Sequence, residues 1–152
     1  MNLLADLPPN LSGRQQLELL LDHNLEAPIH RTLGISFVEI GDGRVAFEGA
    51  PGTSVYNPIG TVHGGYAATL LDSACACAVQ SRLTAGQTFS TLELKVAYHR
   101  PITAETGTVR AEGRVVTLGR RTGFAEATIV DPAGRLLASA TSTLLIGAAA
   151  SA

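Results

Sequence analysis

In the stretch HGGYAATLLDSACACAV, residues 63–79, a single carboxylate, Asp72, stands among Ala, Leu, Cys, Val and small hydroxyl residues. No other acid occurs between Glu48 and Glu93, and the only lysine or arginine in that interval is Arg82. Taking a carboxylate out of water costs several kcal/mol unless it is partnered. Asp72 is therefore either held by neighbouring hydroxyls such as that of Thr69, or placed there to react. A helix carboxylate can serve as a general base towards water or as a nucleophile. Nine residues upstream, His63-Gly64-Gly65 closes a loop and opens the same helix, where unsatisfied backbone N–H groups meet the positive end of the helix dipole. Such groups stabilise an oxyanion, and a glycine leaves room for a substrate to come close. The two features together could polarise a carbonyl and deliver oxygen to it.

The elements that must position these residues follow from periodicity. Leu17, Leu20, Leu21 and Leu25 recur at helical spacing behind Ser12, a capping residue, so a short amphipathic helix is expected. Pro28 interrupts it, and IHRTLGI reads as a second helical turn leading into sheet. ISFVEI and RVAFEGA, joined by Gly41-Asp42-Gly43, form a hairpin because Gly and Asp tolerate positive φ. PGTSVYNPIGTVHGG is loop. From about Gly65 to Leu83 one long helix follows, apolar nearly all round and so buried on most sides. STLELKVAYHRPI, GTVRAEGRVVTLG, TGFAEATIVDP and GRLLASATSTLLIG are strands, with turns at Pro101, at Gly119 and at Asp131-Pro132-Ala133-Gly134. A sheet of some six strands buries such a helix only by curving around it, or with help from a second subunit. The expected fold is α+β, one curved antiparallel sheet wrapped around a long central helix. It forms a single domain with its core at about 33–146, a helical extension at 1–32 and a frayed tail at 147–152.

Composition narrows the functional classes. A chain of 152 residues, 45% hydrophobic, fits one domain. Its net charge of −2 and lack of a basic cluster argue against nucleic acid. Asp6 and Pro8-Pro9 break the apolar run a secretory signal needs, and no stretch reaches the ~20 apolar residues of a membrane span, so a cytoplasmic protein is expected. Cys75 and Cys77, two apart on a helix, point in different directions and read as small apolar residues rather than a bridge or metal pair. No His, Cys and acid cluster has metal-site spacing, so no metal is expected.

The run Asn57-Pro-Ile-Gly-Thr-Val-His63-Gly64-Gly65-Tyr-Ala-Ala-Thr-Leu-Leu-Asp72, followed by Thr91-Leu-Glu-Leu-Lys-Val-Ala-Tyr98-His-Arg-Pro101, resembles a known family. It is similar to the phenylacetic-acid-degradation (PaaI-like) branch of acyl-CoA thioesterases in the hotdog-fold 4-hydroxybenzoyl-CoA thioesterase superfamily. The likeness holds in order and spacing from about Leu33 to Ile146.

The resemblance implies a hotdog fold and hydrolysis of acyl-CoA thioesters to free acid and coenzyme A, with aromatic acyl groups favoured. It implies no cofactor, since coenzyme A enters as part of the substrate. It assigns the Gly64 N–H to the thioester oxygen. It implies that Asp72 acts opposite Gly64 of a neighbouring subunit, either attacking to give a mixed anhydride or activating water. Asn57 and His63 match positions that orient substrate or water, and Thr91 matches a hydroxyl beside the water. Gly65, Tyr66, Arg100, Arg120 and Arg121 are its candidate substrate contacts, the arginines for coenzyme A phosphates. A homodimer is the implied minimal unit and a homotetramer the implied assembly.

Plainer readings stand beside these. His63 could close its loop through backbone bonds, Asn57 before Pro58 is a common turn pair, and Thr91 is an ordinary strand residue. Phe37, Phe47, Tyr56, Tyr66 and Phe89 are candidates for an acyl pocket, with Tyr66 reporting on acyl size. Arg44, Arg110, Arg114 and Arg135 read as surface charges. Two other functions are weighed. One is a non-catalytic acyl-CoA binding module, against which a buried Asp72 argues. The other is a hotdog hydratase or dehydratase, which needs a His and an acid working as a pair.

Overall fold

Ser12 starts the first helix through a reciprocal cap: its Oγ accepts from the Gln15 N–H at 3.3 Å while Gln15 Oε1 accepts from the Ser12 N–H at 2.9 Å. Helix α1 (Gly13–Asp22) then stops earlier than the leucine spacing predicts. Asn24 adopts φ 51, and the N–H groups of Asn24 and Leu25 turn back to Leu21 and Leu20. Leu25 thus folds against the helix from outside it. Helix α2 (Pro28–Leu33) opens on proline and ends at left-handed Gly34.

The computed structural model describes residues 3–4, 6–8 and 10–148. Strands β1 (Ile35–Gly41) and β2 (Arg44–Gly49) form the expected hairpin. Helix α3 (Gly64–Gln80) follows the loop, beginning one residue before the predicted start and giving way to a turn at 81–83. Strands β3 (Gln87–Tyr98), β4 (Val109–Leu118), β5 (Thr122–Val130) and β6 (Leu136–Ala148) complete one antiparallel sheet in the order β1-β2-β4-β5-β6-β3. Gly147 and Ala148, expected in the frayed tail, still pair with Thr88 and Gln87; residues 149–152 lie outside the described residues.

The sheet curves round α3, which packs on β2, β3, β4, β5 and β6. Leu70, Leu71, Ala74, Ala78 and Val79 are fully buried there. The small residues of α3 let the helix sink onto β4: a Cβ at Gly113 would stand 2.2 Å from the Ala74 carbonyl oxygen. This is the hotdog arrangement expected from the sequence. The four arginines read as surface charges are ion-paired, Arg44 with Glu112, Arg110 with Glu39 and Glu48, Arg114 with Glu126 and Arg135 with Asp131. Among the described residues no helix is long and apolar enough to cross a membrane.

Candidate active site

The loop before α3 is built by its own side chains. Asn57 Oδ1 accepts from the N–H groups of Ile59 and Thr61, its Nδ2 donates to Thr61 Oγ1 at 2.9 Å, and its backbone N–H donates to the Thr61 carbonyl. The turn reading of Asn57 is therefore satisfied in full, while the residue also faces a cleft. His63 caps α3, its Nδ1 accepting from the Gly65 N–H at 2.9 Å. In the neutral ring the proton then lies on Nε2. With Gly65 engaged by the cap, the N–H of Gly64, first residue of the helix, is the donor left without an intrahelical partner.

Around this helix start lies a cleft of about 390 Å³ whose lining includes Asn57, His63, Gly64, Tyr98, His99 and Arg100. Tyr98 Oη donates to the Gly64 carbonyl at 2.9 Å, fixing the first peptide of the helix from the end of β3. His99 Nε2 lies 2.8 Å from Ser139 Oγ, and Arg100 donates from one guanidinium nitrogen to the Leu136 carbonyl at 2.6 Å. His99 falls within the quoted motif, but sequence reasoning assigns it no role. Its only signal there is its place between Tyr98 and Arg100.

Asp72 and Thr91 form a second group. Thr91 Oγ1 donates to Asp72 Oδ1 at 3.1 Å, and both residues are half-buried. Neither lines the Gly64 cleft. Eight residues of helix separate Asp72 from Gly64, about 12 Å along the axis. One chain therefore holds the predicted residues in two separate groups.

Three further candidates are placed elsewhere. Tyr66 is 3% exposed, and its hydroxyl lies in the core where a Cβ at Gly49 would meet it at 2.0 Å. Among the described residues its hydroxyl has no hydrogen-bond partner, and burial pushes its pKa up to about 12. Tyr66 does not line the cleft: its position one turn into the helix turns it inward. Arg120 and Arg121 occupy the β4–β5 turn, where the Arg121 carbonyl accepts from the Ile146 N–H. Thr122 pairs with Leu145, while the cleft meets β6 at Leu137, about 26 Å away along the strand. They belong to the Thr91 end of the sheet, since Thr91 pairs with Leu144. Arg100, Arg120 and Arg121 make no ion pair with a described residue.

Burial, with the Asp72 charge adding to it, pushes the Cys75 and Cys77 thiols up to about 12, so neither is a thiolate nucleophile at neutral pH. Among the described residues no group of three or more His, Cys, Asp or Glu is placed to hold a metal ion.

The fold points to a class, the hotdog thioesterases. The chain belongs to the thioesterase superfamily, whose family model matches residues 59–138, the span from the Gly64 loop through Asp72, Thr91 and the Tyr98 strand end. The proofreading thioesterase EntH of Klebsiella pneumoniae is 31% identical over 103 residues, 68% of this chain and 74% of that protein. A protein of Halobacterium salinarum, provisionally named an esterase, is 42% identical over 76 residues, which span 49% of this chain and 48% of its own length. Among solved structures, a point mutant of the phenylacetic acid degradation protein PaaI from Thermus thermophilus superposes with a TM-score of 0.71 at 31% identity, covering 78% of this chain and 98% of that one.

Proposed function

We propose that this chain hydrolyses acyl-CoA thioesters to free acid and coenzyme A in the cytoplasm, with aromatic acyl groups such as phenylacetyl preferred, at a site formed between two copies. The observation that carries the reading is the Asp72–Thr91 pair, a lone helix carboxylate bonded through one oxygen to the edge strand of the sheet. The separation of Asp72 from Gly64 supports the second copy. β3 is an unpaired edge, and an antiparallel pairing with its own copy about a two-fold axis at Lys95, with Leu92 the extra residue of the bulge between Thr91 and Glu93, sets Thr91 opposite Tyr98 of the second copy. Since Tyr98 is bonded to Gly64, that pairing brings Asp72 of one copy towards the helix start of the other.

The thioester oxygen then accepts from the Gly64 N–H, which stabilises negative charge on that oxygen. Asp72 acts in one of two ways. It attacks the carbonyl carbon, expelling the coenzyme A thiolate and leaving a mixed anhydride that water cleaves, or it takes a proton from the water that attacks. In both, the departing thiolate ends protonated and the carboxylate is restored. Arg100 at the cleft, and Arg120 and Arg121 at the Thr91 end, are the candidate partners of the coenzyme A phosphates. Support for aromatic acyl groups comes from the phenylacetic acid degradation protein among the similar structures.

Thiol release from phenylacetyl-CoA, hydroxybenzoyl-CoA, hexanoyl-CoA and palmitoyl-CoA tests the proposal. Wild type should turn over at least one of them. Asp72→Ala and Asp72→Asn should lose about 10³-fold in kcat while staying folded. Tight binding of these compounds with no turnover by wild type would instead make the chain an acyl-CoA binding module.

A further inference from the structure

A second cavity, of about 330 Å³, lies between the N-terminal helices and the β1–β2 hairpin. Its walls include Leu17 and Leu20 of α1, Leu25 after it, and Phe37 and Phe47 from the hairpin. Phe37 stacks on Phe47 with ring centroids 4.9 Å apart, and the His30 ring meets Phe47 edge-on at 5.2 Å. The contrast with the Gly64 cleft is chemical. That cleft sets amide, imidazole and guanidinium groups beside apolar Val62, Ile102 and Leu137, whereas this chamber is mainly aliphatic and aromatic, with polar groups at Glu26, His30 and Gln80.

The chamber meets the helix that carries Asp72, at Cys77 and Gln80, although Asp72 itself does not line it. His30 Nε2 lies 2.9 Å from the hydroxyl of Ser73, the residue after Asp72. Cys77, four residues beyond Ser73 and so on the same helix face, lines the chamber floor.

We propose that this chamber receives the acyl group of the thioester attacked by Asp72 of the same chain, and that Leu20, Leu25 and Phe37 set the length of acyl group accepted. This rests on the hydrolase reading above. The substrate then spans both halves of the pair, with the polar coenzyme arm on the Gly64 cleft of one copy and the apolar tail under the N-terminal helices of the other. An apolar group entering such a chamber gains free energy with each methylene it buries, so affinity rises with chain length until the far wall is met.

The test compares wild type with Leu20→Trp and Leu25→Trp, which fill the chamber, and Phe37→Ala, which enlarges it. Leu25 is 41% exposed, so its replacement carries little risk to folding. Two readouts are taken on folded protein: kcat/KM along a series from acetyl-CoA to dodecanoyl-CoA and phenylacetyl-CoA, and calorimetric binding of free decanoate. Filling the chamber should lower kcat/KM at least tenfold for the longest acyl group that wild type accepts, and leave acetyl-CoA within about twofold. Phe37→Ala should move the optimum to longer groups, and both tryptophan variants should weaken decanoate binding. Hydrolysis by all variants with one unchanged length profile would overturn the chamber and spare the hydrolase reading. Decanoate binding lost in the tryptophan variants, with no thioester turnover even in wild type, would uphold the chamber as an acyl site and overturn the hydrolase reading.

Discussion

Thr91 and Asp72 are joined by a 3.1 Å hydrogen bond that crosses from the edge strand to the central helix. Of the two carboxylate oxygens, Oδ1 accepts this bond, and among the described residues Oδ2 has no hydrogen-bond partner. The next residue on the strand, Leu92, falls at a register shift between Thr91 and Glu93 and is 59% exposed. A bulge of this kind bends an edge strand and re-aims its side chains. It places the Thr91 hydroxyl over the helix while the edge stays open to a second chain.

Removing the hydroxyl while keeping the shape isolates its role. Thr91→Val should lower kcat about tenfold with KM nearly unchanged, because a hydrogen bond to a charged group is worth roughly 1.5–3 kcal/mol. Thr91→Ser should recover most of the loss. Equal activity in all three proteins, measured as thiol release, would make Thr91 an ordinary strand residue.

At the Gly64 cleft the Tyr98 ring closes over the helix start. A Cβ at Gly64 would stand 2.9 Å from Tyr98 Oη and 3.0 Å from Cζ. Tyr98 is 58% exposed, so its ring can swing away. Gly64→Ala should therefore fold with a Tm within a few degrees of wild type, yet lose activity as the new methyl enters the cleft and displaces the Tyr98 bond. Retention of full kcat/KM would remove Gly64 from the substrate's path.

His30 gives the fold a pH dependence. Burial lowers its pKa from the ordinary 6.5, with the Glu26 charge opposing as the smaller influence. The folded protein thus holds His30 neutral where the unfolded chain begins to protonate it. The stability from this group is present above about pH 6.5 and is lost as pH falls from there towards the lowered folded value. Denaturant titrations between pH 8 and pH 5 should show a loss of stability for wild type that is smaller in His30→Asn. Identical slopes in the two proteins would mean that His30 titrates normally when folded.

Much of this is legible in the sequence, for physical reasons that differ by residue. The apolar run around Asp72 announces a helix buried on most sides, and Gly41-Asp42-Gly43 announces the hairpin, because both signals are local. Asp72 stands out since an isolated charge in such a run demands a partner, and Thr91, nineteen residues away, supplies it. The inward turn of Tyr66 is hidden because α3 is apolar on every side and offers no polar face to orient it. The distance of Arg120 and Arg121 from the Gly64 cleft depends on sheet order and register, which no local pattern encodes. The chamber under α1 is equally unreadable: it exists only where Leu17, Phe37 and His30 converge from three elements.

The central claim is that one active site draws Asp72 and Gly64 from different chains, and complementation tests it most directly. Asp72→Asn removes the carboxylate. Gly64→Pro removes the N–H at the first helical position, where proline is tolerated, and His63 before it already has the extended ψ of 136 that proline requires. Each variant alone should be inactive. Random equal mixing should restore about one quarter of wild-type activity, since half the dimers are mixed and each mixed dimer holds one intact site of two. Mixed dimers that form and stay as inactive as either parent would contradict the account, placing both residues of each working site in a single chain.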